Sequence, residues 1–374
     1  MHSMAIDRRL FLAGAGAALL AGATRPAFAA QQPRYLSAAA TLDGRQVAVA
    51  LAETGAPLYD LDLADRGHGL ALRPGANEAV CFGRRPGAFA QVFDLATGDP
   101  LTTIAPTAAD RHFSGHGVFT PDGRYLLLTE NDMARRRGLV GVHDATAGYT
   151  RVRDFPTGGI GPHDLRLLPD GLTLVVANGG LDHRHDRMNA AEAADIRSDL
   201  VYLDWQAGSV LDQVKLDPAL SRMSIRHLAL TVDGQVVAAL QDSAETPDLD
   251  RPLGFLHRRG EDLRWLATPN GGWGGFRGYC GSAAVDLGGG LVAMSSPRGN
   301  CVGLWNAADG SVAGGADVHD GCGLAAADAA RTLLVSSGGG DLFILADGAG
   351  SAAPLDGDGP AEYRFDNHLL RVSS

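Results

Sequence analysis

The chain has 374 residues, and 43 acidic against 32 basic side chains give it a formal net charge of −11. An acidic surface gains nothing from counterion release or from anionic headgroups, so nucleic acid and anionic lipid are poor partners, whereas cations and cationic partners suit it. Four cysteines (Cys81, Cys280, Cys301 and Cys322) are too few for a disulfide-stapled scaffold of this length, and the sequence does not choose a pair.

In chain order, the first segment reads as an address. Asp7-Arg8-Arg9-Leu10-Phe11-Leu12 leads into a small apolar run and ends at Ala27-Phe28-Ala29, a small-x-small cleavage site, so residues 1–29 are expected to be a signal peptide. The arginine pair before Leu-Phe-Leu resembles a twin-arginine export signal, which carries folded proteins; an ordinary secretory signal with two arginines is the alternative. The apolar run is too short to span a bilayer, so no integral membrane segment is expected after cleavage. Cleavage removes Arg8, Arg9, Arg25 and Asp7, which moves the formal charge from −11 to −13. Residues 30–374 are then expected to be a periplasmic, monomeric single domain.

That remainder reads as all-β. Fifty glycines and short Val/Leu/Ala runs broken by Asp-Gly and Thr-Gly describe strands joined by tight turns, and only residues 189–197 look helical. Three strands are expected at 35–39, 46–51 and 57–63, after which one pattern repeats: a polar residue, an alternating strand, a turn and a second strand. It starts at His68, His116, His163, His227, Cys280 and Cys322, with gaps of 48, 47, 64, 53 and 42 residues. A four-stranded propeller blade repeats at about 40–50 residues. The end of the chain, Asn367-His368-Leu369-Leu370-Arg371-Val372, has the look of an innermost strand with no turn after it. The expectation is a seven-bladed β-propeller whose C-terminal strand completes the N-terminal blade, closing the ring and protecting its edges.

This organisation sets the candidate site. Innermost strands line the central channel, so His68, His116, His163, His227, His368, Cys280 and Cys322 are expected around one rim, with loops bearing Arg84, Arg85, Glu130, Asp132, Asn178, Arg298 and Cys301 returning to the same face. Imidazole and thiolate are preferred ligands of iron, copper and zinc, which makes a metal or haem site a natural reading. The competing reading is structural, with each ring bonding the backbone of a neighbouring blade. Opposite sides of a channel mouth stand too far apart for first-shell bonds of about 2 Å. Adjacent pairs such as His116 with His163 are therefore the expected ligands, with His68 and His227 beside them.

Weaker signals remain. Cys81 sits in an apolar strand and reads as core; His183 and His185 in Asp182-His183-Arg184-His185-Asp186 offer a second loop site; Arg135-Arg136-Arg137 reads as a solvated run. The sequence holds no Gly-x-Ser-x-Gly elbow, phosphate loop, His-Glu-x-x-His or Cys-x-x-Cys-His.

Several stretches carry a family resemblance: Arg66-Gly67-His68-Gly69, Arg84-Arg85-Pro86-Gly87, Arg111-His112-Phe113-Ser114-Gly115-His116-Gly117, Gly158-Gly159-Ile160-Gly161-Pro162-His163-Asp164, Ser224-Ile225-Arg226-His227 and Ser295-Ser296-Pro297-Arg298. With them the chain resembles the DUF1513 family over essentially its whole expected mature length. The resemblance implies an exported bacterial propeller, encoded near imelysin-like and dihaem-peroxidase-like proteins, and hence periplasmic partners in iron uptake. It brings no established active site, and Cys280 stands where relatives are expected to carry a small apolar residue.

Three functional classes follow. The first is a non-catalytic accessory protein binding iron, copper, haem or a metal-handling partner at the channel mouth. The second is a metal-dependent oxidoreductase or lactonase-like hydrolase, with Glu130, Asp132 or the Asp182–Asp186 loop beside a metal-bound water. The third is a protein-interaction scaffold with a structural histidine ring. Whether the protein is an enzyme stays open at this level, with the balance against it.

Overall fold

The computed structural model describes residues 32–181, 196–348, 350–355 and 360–372. The expected signal peptide up to residue 29, the His183/His185 loop and all but the last two residues of the expected helix at 189–197 lie outside these residues, and those two, Ile196 and Arg197, are not helical.

The strands form seven antiparallel sheets of four. In six of them the strands follow one another in sequence; in the first, the C-terminal strand Tyr363–Arg371 pairs with Tyr35–Thr41, followed by Gln46–Leu51 and Pro57–Asp62. The protein is a seven-bladed β-propeller, closed as the terminal sequences suggested. The other innermost strands are Gly67–Leu72, Arg111–Phe119, Pro162–Leu167, Met223–Leu230, Ser282–Val285 and Gly321–Ala326, in blades 2 to 7. Each packs against the innermost strands on either side, and Tyr363–Arg371 touches both Gly67–Leu72 and Gly321–Ala326 to shut the ring. Among the described residues no helix is long and apolar enough to cross a membrane.

Short-range chemistry explains the strand breaks. A Thr-x-Asp-Gly turn joins the two inner strands of blades 3 and 5 and the second and third strands of blade 1: Thr41, Thr120 and Thr231 donate their hydroxyls to Asp43, Asp122 and Asp233, and accept from the backbone N–H of Arg45, Tyr125 and Gln235. The glycines that follow, Gly44, Gly123 and Gly234, have φ of 92°, 67° and 81°, the left-handed region that costs glycine least. The apolar faces of adjacent blades pack together, as where Phe82 and Val92 of blade 2 meet Leu126 and Leu128 of blade 3. Cys81 lies in one such core and Cys280 in another, and all four cysteines are free thiols.

Candidate metal and anion site in the channel

The innermost strands share one departure from ideal pairing. Register shifts interrupt them at Gly67/Leu70, Phe113/Gly117, Pro162/Asp164, Ile225/His227 and Gly321/Leu324, and the closing strand shifts where Ser37 and Ala39 pair with Leu369 and Phe365. The shifts span His68, His116, His163, Cys322 and His368, and in blade 5 Arg226, directly before His227. A bulge puts extra residues on one strand and re-aims a side chain. Here it turns the imidazoles inward. Ser282–Val285 in blade 6 has no such shift against its neighbour.

Glycine makes the convergence possible. A Cβ on Gly69 would meet Gly115 O at 2.5 Å and His116 Cδ2 at 3.0 Å, and one on Gly115 would meet His68 Cδ2 at 2.9 Å. The Gly-His-Gly triplets at 67–69 and 115–117 thus let two neighbouring rings approach.

The result is narrower than a rim. Around the channel the ring centroids of His368, His68, His116, His163 and His227 stand 4.5, 4.8, 5.1 and 4.7 Å apart in turn, and His227 closes on His368 at 4.7 Å. His227 and His368 meet although blades 6 and 7 lie between their own. One ligand nitrogen from each of His68, His116, His163 and His227 lies within 4.8 Å of the others. The expectation that opposite histidines stand too far apart for one ion is therefore corrected: the bulged strands bring the rings together inside the channel.

Burial sets their protonation. His68, His116, His163 and His227 are 2–5% exposed. Loss of water lowers every pKa in the cage, to about 3 for His116 and His368 and well below 6.5 for His68, His163 and His227. The rings are neutral at pH 7 and carry lone pairs for a metal. His116 Nε2 and His368 Nε2 share a hydrogen bond of 3.0 Å, while His68 Nδ1 meets Asp366 Oδ1 at 2.8 Å. His116 Nδ1, His227 Nδ1 and both nitrogens of His163 are buried with no hydrogen-bond partner. A buried polar atom left unsatisfied costs about 1–3 kcal/mol. Four such atoms, on three rings of the cage, favour an occupant that can meet some of them.

Two carboxylates that the sequence reading did not single out border the cage. Asp366 also takes the Arg66 guanidinium, at 2.5 and 2.6 Å. Asp164, fully buried, accepts from Leu165 N, Leu228 N and Arg166 at 2.7, 2.8 and 2.6 Å. Their only sequence signal is position, beside His163 and two before His368.

The other expected residues fall elsewhere. Glu130 and Asp132 belong to the second strand of blade 3, Tyr125–Asp132. Arg151 holds Glu130 with two bonds of 2.5 and 3.1 Å, and Arg135 and Arg137 hold Asp132 at 3.1 and 3.2 Å. Asn178 donates to Thr157 O and Asp199 Oδ1. Cys322 turns its thiol back to Asp320 O at 3.1 Å, and Cys280 lies in an apolar cluster with Cys301 beside it; burial pushes the Cys301 thiol up to about 12. Arg298 does reach the channel, over the Tyr279 ring at 4.5 Å. There it lines a cavity with His68, His163 and His227, and with Arg84, Arg85 and Arg226.

Fold and site together define a seven-bladed propeller with a histidine-packed channel. The chain belongs to DUF1513, a family described as a protein of unknown function, whose model matches residues 61–372. A search of curated proteins finds no match. Among solved structures, hydrazine synthase from Kuenenia stuttgartiensis is similar at 12% identity and a TM-score of 0.59, over 87% of this chain and 99% of that one. At that identity the likeness concerns the fold alone.

Proposed function

We propose that this protein is a periplasmic accessory propeller of metal acquisition that holds one first-row transition metal ion, iron or copper, in the His68/His116/His163/His227 cage. The observation that carries this reading is the convergence of buried, neutral imidazoles with four unpartnered nitrogens. Imidazole suits such ions, and the tetrahedral bonds of about 2.0 Å usual for His require ligand nitrogens roughly 3.3 Å apart. One nitrogen from each of His68, His116, His163 and His227, all within 4.8 Å of one another, reaches that spacing by ring movements of about an ångström. Ring separations of 4.5–5.9 Å leave no slot for a haem macrocycle between the imidazoles, which favours an ion. Export is supported by the arginine pair and cleavage site, and the iron-uptake setting, with imelysin-like or dihaem-peroxidase-like partners, by the family resemblance alone. The hydrolase or oxidoreductase alternative is weaker at Glu130 and Asp132, whose oxygens are engaged by arginines.

The test is elemental analysis of protein purified without a histidine tag, beside the His116→Ala/His163→Ala double variant. About one equivalent of metal, lost in the variant, supports the reading. An empty protein whose melting temperature ignores added iron and copper rejects it and leaves a docking scaffold.

A further inference from the structure

We propose that the mouth of the channel is an anion site, in which a small carboxylate or phosphate-type oxyanion sits against the histidine cage, held by Arg84, Arg85, Arg226 and Arg298. These four arginines, with His68, His163 and His227, line one small cavity of about 50 Å³ that opens to solvent, and no carboxylate lines it among the described residues. The concentration is unusual in a chain with a net charge of −11. Arg226 is 1% exposed in the innermost strand of blade 5, so packing fixes its charge at the cavity instead of letting it swing into water. Arg298 is held over Tyr279, whose hydroxyl accepts from Asn367 Nδ2 at 2.6 Å, which stiffens that wall.

The four guanidiniums also interact within the chain. A guanidinium carries five N–H donors in a planar fork, enough to keep an internal partner and meet an oxyanion as well. Their field reaches the cage: beside burial and the neighbouring imidazoles, Arg84 opposes protonation of His68, Arg226 and Arg85 that of His163, and Arg226 that of His227. A bare cation is disfavoured at such a mouth, whereas an anion with two or more oxygens can accept from several arginines at once. Asn367 and Gln241 add neutral amides to the same lining. The inference does not depend on the metal reading.

The experiment is a calorimetric titration of chelator-treated protein with inorganic phosphate and with citrate, at low and high sodium chloride, repeated on Arg298→Gln and Arg85→Gln. Arg84→Gln replaces either variant that fails to fold by its melting curve. The expected result is saturable one-to-one binding of at least one anion, weakened about tenfold or more in the variants, as for loss of one charge-assisted hydrogen bond, and weakened again by salt. Binding of citrate alone assigns a carboxylate, and of phosphate alone a phosphate-type ligand. No saturable binding of either, or binding that all tested variants leave unchanged, overturns the proposal. Anion binding by a protein that takes up no metal would reject the metal reading and keep this one, and metal uptake without anion binding would do the reverse.

Discussion

His163 shows most plainly what the channel demands of a residue. It is buried, neither ring nitrogen has a partner, and its pKa is held well below the ordinary value, first by burial and then by His227 and Arg226. Because the unfolded chain takes a proton near pH 6.5 and the folded ring resists it, the neutral ring's contribution is fully present above about 6.5 and is lost as the pH falls. For His116 and His368 that loss continues down to about 3. In denaturant unfolding of metal-free protein, lowering the pH from 7.5 to 5 should therefore destabilise the wild type more than His163→Gln. The difference should approach about 1.4 kcal/mol per pH unit below 6.5; parallel pH profiles would show that burial of this ring has little effect. Asp366 acts one step back. By accepting from His68 Nδ1–H it leaves Nε2 as the donor atom for a metal, the arrangement by which carboxylates orient ligating histidines. Asp366→Asn should keep the fold and weaken metal affinity about 10–100-fold, read by competition with a chromogenic chelator. An unchanged affinity would make Asp366 a partner of Arg66 only.

At the scale of the element, the decisive feature is the bulged innermost strand. The repeat of a polar residue before an apolar alternation was legible, because period-two patterning and Asp-Gly turns are local chemistry. The bulges were not legible, because they depend on how a strand fits its neighbour. Cys280 and Cys322, aligned with the histidines in sequence, part from them in space for different reasons. Blade 6 pairs regularly from Ser282 onward, leaving Cys280 in the core, while Cys322 bonds to Asp320. Gly115 offers a direct test, since its φ of 99° and the 2.9 Å approach of His68 both refuse a side chain. Gly115→Ala should cost more than about 1 kcal/mol, because alanine is strained at positive φ. It should also lower metal occupancy, and the same change at Gly75, which has open space around it, should spare occupancy. Equal loss in both variants would detach Gly115 from the site.

For the whole molecule, closure and charge matter most. Tyr363–Arg371 supplies the fourth strand of blade 1 and buries Phe365 and Leu369 against Val49 and Leu51. A chain ending before His368 loses Leu369, the His368 ring that packs against the cage, and part of the pairing with Tyr35–Thr41. Large-to-small loss of one buried leucine alone costs about 2–5 kcal/mol, so the truncated protein should melt well below the full chain or fail to fold, as calorimetry would show. A small shift would mean that the ring holds without its closing strand. The arginine-lined mouth and the cage are also coupled electrostatically. An anion bound among Arg84, Arg85, Arg226 and Arg298 removes repulsion on a cation below it, so phosphate or citrate at saturating level should tighten metal binding, and by linkage metal should tighten anion binding by the same factor. Both factors can be measured by titrating each ligand in the presence of the other, with the metal–anion affinity in solution subtracted.

The sequence by itself determined the seven blades, the closing strand and the recurrence of a histidine on five of the innermost strands. Each of these follows from local period, turn residues and a recurring pattern, which the chain carries wherever it folds. Only the tertiary structure decided how far the imidazoles travel inward, that the thiols stay out, that Glu130 and Asp132 are taken by arginines, and that Arg226, Asp164 and Asp366 surround the cage. Those outcomes depend on distances between residues up to 300 positions apart, such as Arg66 and Asp366, and a linear pattern holds no record of them until the ring closes.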